Sequence, residues 1–293
     1  MDRQRKAELM LVMITFFWGV SYYLADVCLS DLGPLNLNAF RFLSAFFVLG
    51  VIFRKNLMCL NRTTVKYSIY VGLSLVLVYV GVTYGLMYTS LSNAGFICAL
   101  STVTTPLISW LVNRKSPGKK LGAALLLCTI GMGMMTLNEA YRPAPGDIMC
   151  LLCAVAYGVD LVITERAVSD ERVDPVALGV FQLSVTGVVM LLLSCIFETP
   201  HLPQSSAVWG SALFLGIFCT GIAFVVQSVE QQYTSASRVG LIFALEPVFS
   251  AIVAYLFADE RMGVRGYIGA AMMLLSLLLM EVDVTGLLKK KGE

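Results

Sequence analysis

The sequence predicts an all-α integral membrane protein: ten transmembrane helices arranged as two inverted-topology five-helix repeats. Three observations predict it. The 293 residues are 58% hydrophobic and 14% charged, with a mean hydropathy of +0.79. An ordinary soluble domain is about 45–50% apolar and about 25% charged. Apolar runs of about 20 residues, the length that crosses a bilayer as a helix, recur along the whole chain. And "YTSLSNAGFICAL" at 88–100 returns as "YTSASRVGLIFAL" at 233–245, the mark of an internal duplication.

Taken in order, the first span is expected at 8–28. Its apolar run, Leu9–Val27, is too long for the core of a signal peptide and lacks a small-residue cleavage site, so it is expected to stay as a helix. Trp18 and Tyr22 share one of its faces. The second span, 36–54, holds Arg41. The third, 66–88, sets Tyr79 and Thr83 on one face, and the fourth and fifth are expected at 92–113 and 119–138. The sixth, 146–166, places Tyr157, Asp160 and Thr164 at i, i+3 and i+7. The seventh, 175–197, repeats the spacing of Pro34–Phe40 in Pro175–Phe181. The eighth, 207–229, aligns Thr220, Phe224, Gln227 and, just past its end, Gln231. The ninth, 236–257, aligns Phe243, Glu246 and Ser250, and the tenth is expected at 264–282.

Further echoes fix the repeat. "WGVS" at 18 parallels "YGVD" at 157, and "GAALLL" at 122 parallels "GAAMML" at 269. The halves are then 1–145 and 146–293. Five is odd, so the second copy enters the bilayer in the opposite sense, an architecture that recurs in secondary transporters. Ten spans put both termini on one side. Of the 21 Lys and Arg, only Arg142, Arg261 and Arg265 fall in loops of the other side, and Arg41 lies within a span. The positive-inside rule therefore predicts a multi-pass protein of the cell (inner or plasma) membrane with both termini cytoplasmic. The basic residues orient the chain in the lipid bilayer, and no nucleic-acid partner is expected.

The eight cysteines are scattered through apolar runs and suggest no disulfide framework. Cys150 and Cys153 form a CxxC without further Cys or His nearby, so no metal site and no cofactor are expected. There is no GxxxxGK[ST] for ATP-driven pumping and no HExxH or GxSxG, so no catalytic residue is assigned and an enzyme is disfavoured. Small residues at Gly81 and Gly85, Gly122–Ala124, Gly131 with Gly133, and Gly269–Ala271 suit helix–helix contact. They serve either one chain or a homodimer, and the sequence leaves both open.

The two copies differ where charge enters the membrane. The second has Glu246 and Pro247 where the first has Ser101 and Thr102, and Asp160 where the first has Ser21; the first has Arg41 where the second has Gln182. A charge at bilayer depth costs ~2.5–3.5 kcal/mol on insertion scales and marks function by default. Glu246 and Asp160 are accordingly candidates for proton or cation coupling. With Trp18, Tyr22, Tyr79, Tyr157, Gln227, Phe243 and Ser250 they form the candidate substrate-binding set. Pro247 removes a backbone donor beside Glu246 and is expected to kink the ninth span. Arg41, near the outer end of its span, is read mainly as structural, snorkelling outward or pairing with Asp26 or Asp31, with a contact to a substrate carboxylate as the lesser alternative.

The chain resembles the EamA family of the drug/metabolite transporter superfamily. The resemblance rests on "WGVSYYLA" in the first span, "FRFLSAF" in the second, "NAGFICALSTVTTPL" in the fourth and, most specifically, "ALEPVFSAIVAYLFADE" in the ninth. It implies transport of small metabolites, amino acids and their derivatives prominent among them, often outward. The expectation is a secondary transporter of amino acids or amphipathic organic cations working by alternating access, with proton coupling. A non-transporting membrane receptor or structural subunit, and an intramembrane enzyme, are the rival readings.

Overall fold

A computed structural model of the chain describes residues 3–88, 97–114, 118–136, 145–257 and 263–281. Asp259–Glu260, Ser92–Gly95, Arg142 and Lys289–Lys291 lie outside the described residues, as does the side chain of Tyr22. Every regular element among the described residues is helical. Six helices are long and apolar enough to cross a membrane: Arg3–Leu29, Pro34–Ile52, Arg62–Gly85, Pro145–Val168, Pro175–Phe197 and Ser206–Tyr233. Shorter apolar helices cover Ile97–Val112 and Val264–Leu279. The chain is thus a multi-pass membrane protein.

We number the helices α1 (Arg3–Leu29), α2 (Pro34–Ile52), α3 (Arg54–Met58), α4 (Arg62–Tyr88), α5 (Ser101–Asn113), α6 (Lys119–Thr136), α7 (Pro145–Val168), α8 (Pro175–Phe197), α9 (Ser206–Phe214), α10 (Ala223–Glu230), α11 (Ala236–Phe243), α12 (Glu246–Phe257) and α13 (Val264–Glu281). A π-helical segment, Leu215–Ile222, joins α9 to α10 in one continuous rod.

Helix ends follow local chemistry. Pro175 opens α8, and the Asp174 carboxylate accepts the amides of Val176 and Ala177, satisfying donors that the first turn leaves orphaned. Pro34 opens α2 after Gly33, but its cap comes from afar. The Glu198 carboxylate, just beyond α8, accepts the amides of Leu35 (2.9 Å) and Asn36 (2.8 Å). A carboxylate at a helix N-terminus is favoured by the macrodipole, so this contact ties the two halves together at one end of the bundle. The span carrying "LIFALEP" is broken. α11 ends at Phe243, Ala244 and Leu245 form a turn, and α12 restarts at Glu246. Pro247 has no N–H to continue the ladder, so the rod restarts at this point.

Most of the closest helix pairs join the first half of the chain to the second. α4 packs on α7 and α1 on α9 and α10; α1 packs on α12 and α5 on α7; α2 packs on the π-helical segment and α4 on α8. Three further pairs, α2 with α8, α5 with α11 and α6 with α13, link corresponding spans directly. Close approach needs small residues at crossings. A Cβ on Gly19 would sit 2.6 Å from Cβ of Phe249, so only glycine lets α1 lie this close to α12. The largest core cluster, including Leu11, Ile14, Trp18, Phe42, Leu161, Leu183 and Phe224, lies where the halves meet.

Candidate functional site

A cavity of about 790 Å³ lies between the halves, within the ~300–1,000 Å³ range of small-molecule sites. It reaches one end of the bundle at Asp31–Pro34, beside exposed Leu29 and Met87. We call this the open end. Its inner part is aromatic. Trp18 meets Phe243 edge-on at 4.6 Å between ring centroids, and Tyr157 stacks on Phe243 at 6.2 Å. Phe224 lies 5.7 Å from Trp18 and 6.4 Å from Tyr79. Trp18 is fixed by donating its indole N–H to the Cys219 carbonyl at 2.9 Å, the partner a buried Trp needs.

Of the sequence-predicted site residues, Trp18, Tyr79, Tyr157, Phe243 and Glu246 line this cavity. Pro247 lies beside Glu246 on the wall, and so do Ser101 and Thr102, the residues that stand for that pair in the first half of the sequence. The two halves of the sequence thus each bring their matching position to the wall.

Asp160, Gln227 and Ser250 are not among the lining residues. The reason is the length of a helix face at 1.5 Å per residue. Tyr157 reaches the cavity, but Asp160, one turn further along α7, is fully buried and accepts a 2.6 Å hydrogen bond from Ser74 of α4. In the same way Phe224 lines the cavity while Gln227 is buried, and Gln231 donates to the Leu161 carbonyl. Ser250 sits where α12 crosses α1 at Gly19.

Beneath the aromatic layer the bundle holds a buried polar layer. Asp160 Oδ2, Thr164 Oγ1, Gln182 Oε1, Gln227 Oε1 and Gln231 Oε1 are all buried without a hydrogen-bond partner. Beyond it, at the opposite end, two ion pairs join α1 to the second half. Arg3 meets Glu230 at 2.9 Å, and Arg238 meets Glu8 at 2.7 Å. Arg3 also lies over the Tyr233 ring at 3.9 Å. This end is closed.

The residue whose partner the sequence did not indicate is Arg41. It is only 6% exposed, yet it lines the cavity. It does not pair with Asp31, whose carboxylate accepts the Gln204 amide at 2.8 Å. Instead its Nε donates to Thr220 Oγ1 at 2.8 Å, and the Thr220 hydroxyl donates to the Leu215 carbonyl at 2.9 Å. That i to i−5 contact belongs to the π-helical turn, a feature frequent at functional sites. Gly216 lets the turn approach, because a Cβ there would collide with Ser44 and with the Arg41 carbonyl. A sequence signal existed. Asn38, one turn before Arg41, also lines the cavity and donates to Thr83 of α4 at 3.1 Å.

Comparison with known proteins places the chain among membrane transporters. An uncharacterized transporter of Archaeoglobus fulgidus is 26% identical over 95% of this chain and 86% of its own length. The uncharacterized transporter YoaV of Bacillus subtilis is 25% identical over 90% of this chain and 93% of its own. A solved crystal structure superposes with a TM-score of 0.79 at 19% identity, covering 94% of this chain and 96% of that one, a likeness of fold. The model of the EamA-like transporter family matches residues 5–137 and 144–282, and the chain belongs to that family.

Proposed function

We propose that the chain is a secondary transporter that exports small amphipathic metabolites by alternating access. Its substrates are zwitterions such as amino acids, or amphipathic organic cations. The moving parts are two inverted five-helix repeats, residues 1–145 and 146–293. Three findings support the repeat: the echoes in sequence, the two segments matched by the family model, and helix pairings that recur when the halves are exchanged.

One observation carries the mechanism. Among the described residues the cavity reaches one end, and the path to the other end is filled by side chains of which five carry a buried polar atom without a hydrogen-bond partner. A buried, unsatisfied polar atom costs about 1–3 kcal/mol. A permanently closed wall has no use for five of them, whereas a wall that opens to water in a second state does. The asymmetry of Lys and Arg makes the open end external and the closed end, with the N-terminus, cytoplasmic. Glu246 at the cavity and Asp160 in the closed half lie on opposite sides of the aromatic layer, an arrangement that suits a proton or cation carried between the two sides.

Radiolabelled flux into proteoliposomes tests the reading. Saturable counterflow of a metabolite that also stabilises the purified protein is the expected result. Binding without any flux would make the chain a receptor instead.

A further inference from the structure

Arg41 is a charged group in a membrane-spanning helix that forms no ion pair among the described residues. Among the described residues the ion pairs are Arg3–Glu230, Arg172–Asp170 and Arg238–Glu8. None involves Arg41, whose one hydrogen bond is the Nε contact to Thr220. A charged side chain within a membrane span is costly and marks a functional site by default. A neutral Gln in the corresponding place of the second repeat shows that the fold does not require the charge. The anchor uses Nε alone. The two terminal nitrogens, which together form the end-on fork of a guanidinium, have no hydrogen-bond partner among the described residues and stand at the cavity wall. The side chain is further held over Tyr79, with Cζ 5.0 Å from the ring centroid, and beside Phe42 at 5.8 Å, so the fork is preorganised.

We infer that Arg41 binds the carboxylate of the transported substrate, and that the substrate is a monocarboxylate with an apolar body, zwitterionic or anionic. The inference rests on the transporter reading and narrows its substrate class. Charge balance decides against other anions. Arg41 is the only Lys or Arg among the lining residues, which also include the acids Asp31 and Glu246. One guanidinium matches one carboxylate through two parallel hydrogen bonds. A phosphate dianion would need a second cation and would face two carboxylates. A simple organic cation would leave the Arg41 fork without a carboxylate to accept its hydrogen bonds. Trp18, Tyr157, Phe224 and Phe243 supply the apolar surface for the body of the ligand.

Matched probes test this. Phenylalanine, 3-phenylpropionate and 2-phenylethylamine share one ring and differ in which charges they carry. Leucine, 4-methylpentanoate and isoamylamine do the same with an aliphatic body. Each is titrated in thermal-shift assays against purified wild-type, Arg41→Gln and Arg41→Lys protein, since a ligand of the folded state stabilises it. Gln can keep a neutral hydrogen bond to Thr220 while removing the charge. The carboxylate-bearing members are expected to stabilise the wild type and the amines not to. Arg41→Gln should weaken the carboxylates roughly 10–100-fold, the worth of a charge-assisted pair. Arg41→Lys, which keeps the charge but loses the fork, should fall between, and it decides the matter if Arg41→Gln does not fold.

Carboxylate affinity unchanged in both variants overturns the inference. So does binding of the amines alone, or of no carboxylate at all. Counterflow of the same probes separates this from the transporter reading. Arg41-dependent binding without flux upholds the carboxylate site and removes transport. Flux of amines with carboxylates excluded upholds transport and removes the site.

Discussion

Ser21 and Arg41 line the open cavity, whereas Asp160 and Gln182, which hold the matching positions in the second half of the sequence, are 0% and 2% exposed. The same two helix positions reach the cavity in one half of the sequence and are packed away from it in the other. A static two-fold bundle would treat both pairs alike. On the alternating-access reading proposed above, the difference is that between two states, with the path beside the first half of the chain open and the path beside the second half shut. It also separates two kinds of chemistry. The open half offers a guanidinium, hydroxyls and aromatic rings to a ligand. The closed half offers a carboxyl and unpartnered amide oxygens, which become useful once that half opens.

The largest effect is expected from preventing the exchange of roles. In a background without the native cysteines, Glu8→Cys with Arg238→Cys bridged by a short bifunctional thiol reagent should abolish flux while leaving ligand binding intact, and cleaving the bridge should restore it. Continued flux in the bridged protein would mean that the closed end never opens.

Next come the two carboxyls on either side of the aromatic layer. Asp160→Asn and Glu246→Gln should each leave substrate exchange largely intact and abolish the pH dependence of net flux between about pH 5.5 and 8.5, a range in which a coupled carboxyl must change protonation. Unaltered pH dependence in a stable variant would assign that residue a structural role. Glu246→Ala, which removes the whole carboxyl at the helix break, should lower the melting temperature as well.

A smaller effect is expected at the aromatic layer. Trp18→Phe keeps a ring against Phe243 but loses the indole bond to Cys219. Substrate affinity should fall about 2–10-fold, in line with the ~0.5–1.5 kcal/mol of an aromatic contact. The smallest effect belongs to a charge outside the transport path. Asp170 lies in the turn after α7, and hydrogen bonds from Arg172 hold its carboxyl down to about 2. Its folded value is depressed, so its contribution is present above the usual carboxylate range and is lost only as pH falls through about 2. Asp170→Asn should leave the flux–pH profile of the wild type unchanged.

Much of this was legible from residue order. The all-helical membrane class followed from apolar runs, and five cavity residues followed from faces drawn at helical spacing. What spacing could not give is depth. Tyr157 and Asp160 share a stripe, but the floor of the cavity falls between them, and that level is set by how α4 and α7 cross rather than by either helix alone. The partner of Arg41 was missed for a related reason. Its sequence neighbours suggested outward snorkelling or an ion pair with Asp26, whose side chain lies outside the described residues, or with Asp31, but Asp31 accepts the Gln204 amide and Arg41 bonds to Thr220. Both partners come from the second half of the chain, and long-range partners have no local signature. The π-helical turn that supplies Thr220 is likewise a product of packing, and "LGIFCTGI" reads as ordinary helix.

The central claim is that the two half-paths open in turn, and site-directed accessibility tests it most directly. Single cysteines at Ser21 and at Gln182, in a background without the native cysteines, are reacted with a membrane-impermeant thiol reagent from each side of oriented vesicles. The position at Ser21 is predicted to react from the side of Asp31–Pro34, and the position at Gln182 only from the side of the N-terminus. Bridging the closed end at Glu8 and Arg238 should then raise labelling at the first and abolish it at the second. Reaction of both positions from the same side, or labelling at Gln182 that the bridge leaves unchanged, would contradict alternating access.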